Sequence, residues 1–201
     1  CKYVTDDNED GRWTEVVDMP ISRLIEEFKS KFVYLFLGQN HLLRKKINRL
    51  LEAFSKMIEV KQIRDRVILH LHCNPQSSTG LDLLELCNRL NIQENISFSY
   101  GTWRSSGWSE NGLSILYNLA DVNVSSTSSE GFSLPVLEGF ATGLPMVSTN
   151  CTSQTELIGD KILEGSGQIG PRGLLARVSD TDMIIDMTTR SLVDVEDLAI
   201  K

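Results

Sequence analysis

Hydrophobic and polar positions alternate along this chain in blocks that predict strands and helices in turn. Short apolar runs bounded by Gly, Pro, Asn or Asp are typical of buried strands, and stretches with apolar residues three and four positions apart are typical of helices. The predicted strands are 33–37, 67–72, 96–100, 122–126, 145–148 and 174–178. The predicted helices fill the gaps, at 46–58, 81–90, 113–119, 135–141 and 154–158.

This alternation predicts an α/β protein with a Rossmann-like parallel sheet and helices on both faces. Right-handed crossovers then place a ligand cleft at the carboxyl ends of the strands. We expect three parts along the chain. Residues 1–31 are a lead-in that resembles an interdomain connection, 32–180 are the Rossmann-like domain, and 181–201 are a truncated, helical C-terminal tail.

The segment 130–145 carries the strongest chemical signal. It holds Glu130 and Glu138, eight residues apart, around a predicted loop-to-helix junction. The unpaired N–H groups and dipole of a first helical turn can bind a phosphate, and Glu138 can accept hydrogen bonds from a vicinal diol such as a ribose. The alternative is that Glu138 is a solvated helix residue and Glu130 merely complements the helix N-terminus, because charged residues usually lie exposed.

A basic triplet, Arg44-Lys45-Lys46, precedes the predicted helix 46–58 and follows the first strand. A helix dipole prefers acidic residues at its start, so this choice favours a function for the cations. A departing diphosphate needs preorganised positive charge of this kind. On charge alone, a solvated basic surface remains an equal alternative.

The run from Glu130 to Pro145 resembles the Glu-x7-Glu signature of retaining GT-B glycosyltransferases, above all glycosyltransferase family 4, the group 1 enzymes. The family typically has E-G-F-G-L-P-x-L-E-A-x-A-x-G-x-P-V, and this chain departs from it at Ser133, Gly139 and Met146. The resemblance covers about residues 32–178. It implies the donor-binding, C-terminal half of a two-domain GT-B enzyme.

The resemblance implies roles for individual residues. Glu130 would contact hydroxyls of the donor sugar, and Glu138 would hold the ribose. Lys45 matches the lysine that holds the diphosphate; Asn40 stands where an arginine is usual, so Arg44 is the candidate to replace that contact. The backbone after the first glutamate would meet the sugar and phosphates, which adds Gly131, Phe132, Ser133 and Leu134. Glu130 and Lys45 are the candidate catalytic residues.

The function implied is transfer of a hexose from a nucleotide-sugar, UDP- or GDP-linked, to a glycan or lipid-linked glycan in carbohydrate biosynthesis. The acceptor would be bound by an absent N-terminal domain, so this domain alone would bind donor without appreciable transfer. Two alternatives remain open. One is a GT-B nucleotide-sugar epimerase, and the other is a non-catalytic nucleotide-sugar-binding or interaction module, which the missing arginine favours.

The loop 100–108 contains two tryptophans, Trp103 and Trp108, and an arginine. The resemblance places the nucleotide base near this loop, so a tryptophan there could stack on the base. Tryptophan in a loop more often packs beneath it, and we favour that interpretation.

Composition and charge narrow the remaining possibilities. The net charge of −7 argues against nucleic acid as a partner and against a polybasic membrane contact. The chain has no apolar run of transmembrane length and no evident signal peptide. Four cysteines without CxxC spacing suit the reducing cytoplasm, although a lipid-linked acceptor could bring the intact enzyme to a membrane. We expect no metal, since His70 and His72, beside Cys73, lie on a predicted buried strand, and no cofactor besides the donor.

Overall fold

A computed structural model of the chain describes residues 21–99, 108–159, 172–183 and 189–201. Its main sheet has six parallel strands in the order β3-β2-β1-β4-β5-β6. These are β1 (Phe32–Leu37), β2 (Val67–His72), β3 (Ile96–Ser99), β4 (Val122–Ser125), β5 (Met146–Thr149) and β6 (Gly173–Ala176). All six predicted strands are confirmed, with ends that shift by one or two residues.

Seven helices accompany the sheet in the described part of the chain. They are α1 (Ile21–Phe28), α2 (Ile47–Val60), α3 (Leu83–Arg89), α4 (Glu110–Leu119), α5 (Leu134–Ala141), α6 (Thr152–Ile158) and α7 (Val195–Ile200). Short 3₁₀ turns, Arg64–Arg66 and Gln93–Asn95, precede β2 and β3. The five predicted helices are confirmed, α1 is an addition, and α7 lies within the predicted helical tail.

The core lies on both faces of the sheet because successive side chains of a strand point to opposite faces. In β1, Phe36 joins a cluster with α2, α3 and α7, whereas Leu35 joins a second cluster with α1 and α4. Both side chains are fully buried. The α/β fold class with helices on both faces is therefore confirmed.

Local capping explains where several helices begin. Asp82 accepts hydrogen bonds from the N–H groups of Leu84 and Glu85 at the start of α3. Ser109 caps α4 through the N–H of Gly112, and Asp194 caps α7 in the same way. These short polar side chains satisfy the unpaired donors of a first turn, as their positions before apolar stretches indicate.

The prediction of a helical tail over 181–201 is wrong for most of its described residues. β7 (Val178–Met183) and β8 (Thr189–Val193) form an antiparallel hairpin, and only α7 is helical. The hairpin forms because the two strands pair with each other and Val193 becomes fully buried in the core, both of which are non-local gains. The boundaries that we gave the three parts stay predictions.

A helix also lies within the predicted lead-in. Leu24 and Phe28 of α1 are buried against Val33 and Leu35 of β1. No helix of the described residues is long and apolar enough to cross a membrane.

Candidate functional site

Two loops meet at the carboxyl edge of the sheet, where β1 and β4 lie side by side. The first loop is 38–46, after β1, and the second is 126–133, after β4. The strand order reverses between β1 and β4, since β2 and β3 lie on one side and β5 and β6 on the other. Ligands of open α/β sheets bind at such a switch point.

Glu130 is the centre of the contact between the two loops. Its Oε1 accepts hydrogen bonds from Lys45 Nζ at 2.6 Å and Thr127 Oγ1 at 3.0 Å. Its Oε2 accepts one from Arg44 Nη1 at 2.7 Å. The side chains of Glu130 and Lys45 are only 7% and 8% exposed. The structure therefore brings together three of the predicted site residues, with two cations on one buried carboxylate.

The backbone of Glu130 is held as firmly as its carboxylate. Its N–H donates to Thr152 Oγ1 at 2.9 Å, and Ser153 Oγ donates to its carbonyl at 3.0 Å. Both partners begin α6, and Thr152 has the unusual φ of 45° for a β-branched residue. Sequence reasoning missed both residues, because neither belongs to a local motif with Glu130.

Serines join the two loops below the ion pairs. Ser126 Oγ donates to the carbonyls of Lys45 at 3.0 Å and Lys46 at 2.9 Å. The N–H of Ser128 donates to the carbonyl of Arg44 at 2.8 Å. Short hydroxyl side chains can satisfy buried carbonyl groups of a loop, so the run of serines after β4 has a structural role.

Glu138, the second glutamate, lies on the exposed side of α5. Its Oε2 accepts a hydrogen bond from the hydroxyl of Tyr117 at 2.7 Å. Tyr117 is buried on α4, and burial, then the contact with Glu138, raises the pKa of its hydroxyl. The phenol therefore stays protonated and holds one carboxylate oxygen in place. Sequence reasoning missed this role of Tyr117.

The predicted backbone contacts form the entry to α5. Ser133 is left-handed, with φ 64°, and makes no side-chain cap bond. Phe132 and Leu134 are more than half exposed, and a Cβ at Gly131 would meet nothing within 4 Å. The first-turn N–H groups of a helix have no intrahelical partner, so this edge can present donors to a ligand.

Asn40 lies apart from the Glu130 cluster in its bonding. Its Nδ2 donates to the carbonyls of Leu81 at 2.6 Å and Pro75 at 3.3 Å, and its Oδ1 accepts from the N–H of Leu81 at 3.2 Å. A Cβ at Gly80 would lie 2.2 Å from Oδ1, so the loop packs flat on this amide. Asn40 holds the loop after β2, and a substrate contact would require breaking these bonds.

The basic triplet divides in the structure. Arg44 and Lys45 turn to Glu130, whereas Lys46 Nζ contacts Asp182 Oδ2 of β7 at 3.0 Å. Lys46 also has a left-handed backbone, with φ 48°, just before α2.

The buried strand β2 carries a neutral histidine. His70 Nδ1 and Nε2 lie 2.6 Å from Ser97 Oγ and 2.8 Å from Ser99 Oγ. Burial, and then His72, lowers the pKa of His70 to about 3. Both ring nitrogens form hydrogen bonds with serine hydroxyls, so His70 has a structural role in the core. The described residues include no group of three His, Cys, Asp or Glu side chains that could hold a metal.

Most of the tryptophan loop, 100–107, lies outside the described residues, and with it Trp103. Trp108 is described, and it packs on the α1 and α4 side of the core. Its ring meets that of His72 edge-on, with centroids 5.1 Å apart. For Trp108 this agrees with the packing interpretation.

A protein-family model matches most of this chain. The model is described as "Glycosyl transferases group 1", and it matches residues 31–194. The chain is also 37% identical over 82 residues to O-antigen chain mannosyltransferase B of Escherichia coli. That match covers 41% of this chain and 19% of the mannosyltransferase.

Solved structures resemble the fold at low sequence identity. HepE of Anabaena, solved with UDP, matches at a TM-score of 0.61 and 16% identity, over 90% of this chain and 41% of HepE. WaaG, a glycosyltransferase involved in lipopolysaccharide biosynthesis, matches at a TM-score of 0.59 and 19% identity, over 91% of this chain and 41% of WaaG. The chain thus spans about two fifths of these proteins.

Proposed function

This chain belongs to the group 1 glycosyl transferases, and from that premise we propose that the Glu130 cluster binds the nucleotide-sugar donor of a hexosyl transfer. One observation carries the proposal. Arg44 and Lys45 both contact the Glu130 carboxylate, within 2.7 Å, at the switch point of the sheet. Two cations on one carboxylate leave a net positive charge there, which favours an anionic ligand.

The diphosphate is the anion that this charge suits. Arg44 and Lys45 would contact its oxygens, and the N–H groups from Gly131 to Leu134 would add donors at the start of α5. As the bond from the sugar to the diphosphate breaks, negative charge develops on the leaving phosphate. Lys45, already oriented by Glu130, would stabilise that charge without reorganisation.

The two glutamates would then take different parts of the donor. Glu138 would accept from the ribose hydroxyls, with Tyr117 holding one of its oxygens through the 2.7 Å bond. Glu130 would contact a hydroxyl of the hexose. Its oxygens are already engaged by two cations and Thr127, which makes it a weak nucleophile and suits a binding role.

The known proteins support a donor of this class. HepE was solved with UDP, and also with UDP and glucose at a TM-score of 0.60. The relative of Escherichia coli is named a mannosyltransferase. We therefore propose a hexose donor linked to a nucleoside diphosphate, a retaining reaction as in family 4, and a place for this chain as the C-terminal half of the enzyme.

The rest of the enzyme would complete the reaction. A glycan or lipid-linked glycan would be the acceptor, bound by another domain, so this chain alone would bind donor and transfer little. Three cysteines of the described residues are free and buried, which suits a reducing cytoplasm.

The test is a thermal-shift titration of this chain with UDP, GDP and ADP and their hexose conjugates. A ligand at about 100 times its Kd stabilises by roughly 2.7 kcal/mol, which raises Tm by several degrees. We expect a shift with one nucleotide family, lost in Glu138→Ala and kept in Glu59→Ala, an exposed control at the far end of α2. No shift with any nucleotide would contradict the proposed donor site and favour a non-catalytic module.

A further inference from the structure

The side chains of one residue pair in the hairpin β7–β8 contact both loops of the proposed donor site. Asp182 Oδ2 lies 3.0 Å from Lys46 Nζ, and Arg190 Nη1 donates to Ser129 Oγ at 3.1 Å. Asp182 and Arg190 stand opposite each other in the hairpin register. This pair, here called the clamp, therefore holds the residue after Lys45 and the residue before Glu130.

We infer that the clamp is a positioning device for the donor site. Asp182 and Arg190 contact Lys46 and Ser129, the neighbours of Lys45 and Glu130 in the chain. They therefore act on Lys45 and Glu130 indirectly. By fixing the two loops relative to each other, they hold the cations and the carboxylate in the geometry that receives a diphosphate. The inference rests on the proposed function, because the diphosphate is part of that proposal.

The backbone of Lys46 explains why the loop needs a clamp. Its φ of 48° is left-handed, a conformation that is strained in residues other than Gly. Its side chain is 11% exposed, so the ammonium group needs a counter-charge, and Asp182 supplies it. Without Asp182, the ammonium would be drawn towards water and the strained backbone could relax. Lys45, the adjacent residue, would then lose its orientation.

The hairpin is anchored well enough to serve as a support. Val193 at the end of β8 is fully buried in the main core, and its carbonyl accepts from Arg49 Nη1 of α2 at 3.0 Å. The N–H of Ser191 donates to the carbonyl of Ser128 at 3.3 Å. If the hairpin served only to cover the core, these contacts would suffice and the charge of Asp182 would be unnecessary.

The experiment compares Asp182→Asn with Asp180→Asn. Both variants remove one carboxylate from β7, but Asp180 is exposed, and the hydrogen bond that its carboxylate accepts within the described residues comes from the N–H of the next residue. The Kd of UDP, GDP and ADP is measured by calorimetry, and amide hydrogen exchange is measured on the ligand-free protein. We expect Asp182→Asn to raise the Kd of the nucleoside diphosphate roughly fivefold. The Asp180→Asn control should have the Kd of wild type.

Two further measurements separate positioning from a general loss of folding. The nucleoside lacks the diphosphate, so the Kd of uridine, guanosine or adenosine should be unchanged by Asp182→Asn. In a Lys46→Gly background the left-handed backbone is unstrained and the ammonium is gone, so Asp182→Asn should then have no effect. The amide exchange rate of residues 43–46 and 127–130 should rise in the single variant Asp182→Asn and not in the Asp180→Asn control.

Asp182→Asn behaving as the Asp180→Asn control in both readouts would overturn the clamp. So would an undiminished effect of Asp182→Asn in the Lys46→Gly background. If the wild-type protein binds none of the nucleotides, the proposed donor site fails instead. The hydrogen-exchange comparison needs no ligand, so it still decides whether Asp182 holds the two loops.

Discussion

Thr152 shows that a single residue of the candidate site can have a strained backbone. A β-branched residue at φ 45° is strained, and such strain persists only where surrounding contacts hold it. Here the hydroxyl accepts the N–H of Glu130, while Thr127 contacts the carboxylate of the same residue. The strain is thus found beside the Glu130 carboxylate, which pairs with Arg44 and Lys45.

The charge balance at Glu130 leads to a prediction about Glu130→Gln. The variant leaves Lys45, 8% exposed, without its carboxylate, and removing one partner of a buried ion pair costs about 3 kcal/mol. We therefore expect the free energy of unfolding of Glu130→Gln, measured by urea denaturation, to be lower than that of wild type by this amount. A diphosphate can supply the missing negative charge, so saturating nucleotide should recover more stability in this variant than in wild type. Equal recovery in the two proteins would contradict the proposed roles of Arg44 and Lys45, and exposed Glu59→Gln is the control.

His70 predicts a pH dependence of stability. The pKa of the folded-state imidazole is lowered to about 3, whereas that of the unfolded chain is near 6.5. Between these values the unfolded state binds more protons, so stability falls as the pH drops below about 6.5, by up to about 1.4 kcal/mol per pH unit from this group. Above that pH both states are neutral and the effect vanishes.

The measurement compares wild type with His70→Gln, which places a hydrogen-bonding amide beside Ser97 and Ser99 that does not titrate. Urea denaturation from pH 7 to pH 4 should show a shallower decline in the variant, since the carboxylates are common to both proteins. Parallel pH profiles would show that His70 is not held neutral in the folded state.

At the scale of elements, the loop-to-helix junctions concentrate the departures from regular geometry. α2 starts after left-handed Lys46 and α5 after left-handed Ser133, and neither residue makes a side-chain cap bond. Both junctions lie at the carboxyl edge, after β1 and β4. Both strained residues therefore lie at the candidate site, and neither helix has a side-chain cap at its start.

Ser133→Gly tests this cost at the start of α5. Glycine adopts φ 64° without a Cβ clash, and Ser133 has no cap bond to lose. We expect stabilisation by about 0.5–1 kcal/mol, reduced from the full strain by the greater freedom of glycine in the unfolded chain. Ser133→Ala keeps the Cβ and should not stabilise. A similar urea midpoint for all three proteins would show that the junction is not strained.

At the scale of the whole molecule, the packed unit extends beyond the six-stranded sheet. α1 covers one face of β1 and β2, and the hairpin β7–β8 reaches back to the loops after β1 and β4. The main parallel sheet and its switch point are therefore supported by elements from both ends of the described chain.

The contribution of α1 can be measured with a matched pair in one helix. Leu24 is fully buried, whereas its neighbour Ile25 is 42% exposed. Leu24→Ala should lower the free energy of unfolding by about 2–4 kcal/mol, and Ile25→Ala by less than about 1 kcal/mol. Equal, small effects would mean that α1 is not part of the cooperative unit.

Much of the fold and part of the site follow from local pattern. The six strands and the five helices between them have their own periodicity, and the Glu-x7-Glu run and basic triplet mark the two loops. Helix α1 and the hairpin were missed, since α1 packs partly on the distant helix α4 and the hairpin packs on the core around Val193. Tyr117 and Thr152 were missed for the same reason.

The sequence by itself determined the α/β class and the order of the elements, because hydrophobic period and turn residues act locally, and it marked Glu130, Lys45 and Arg44 as candidates for a site. Only the tertiary structure decided which charges meet. In the folded chain Arg44 and Lys45 form ion pairs with Glu130, and Lys46 forms one with Asp182. Asn40 forms its hydrogen bonds with the loop after β2. Side chains 85 or more positions apart along the chain, as in the Lys45–Glu130 pair, become partners through sheet topology, which no local pattern encodes.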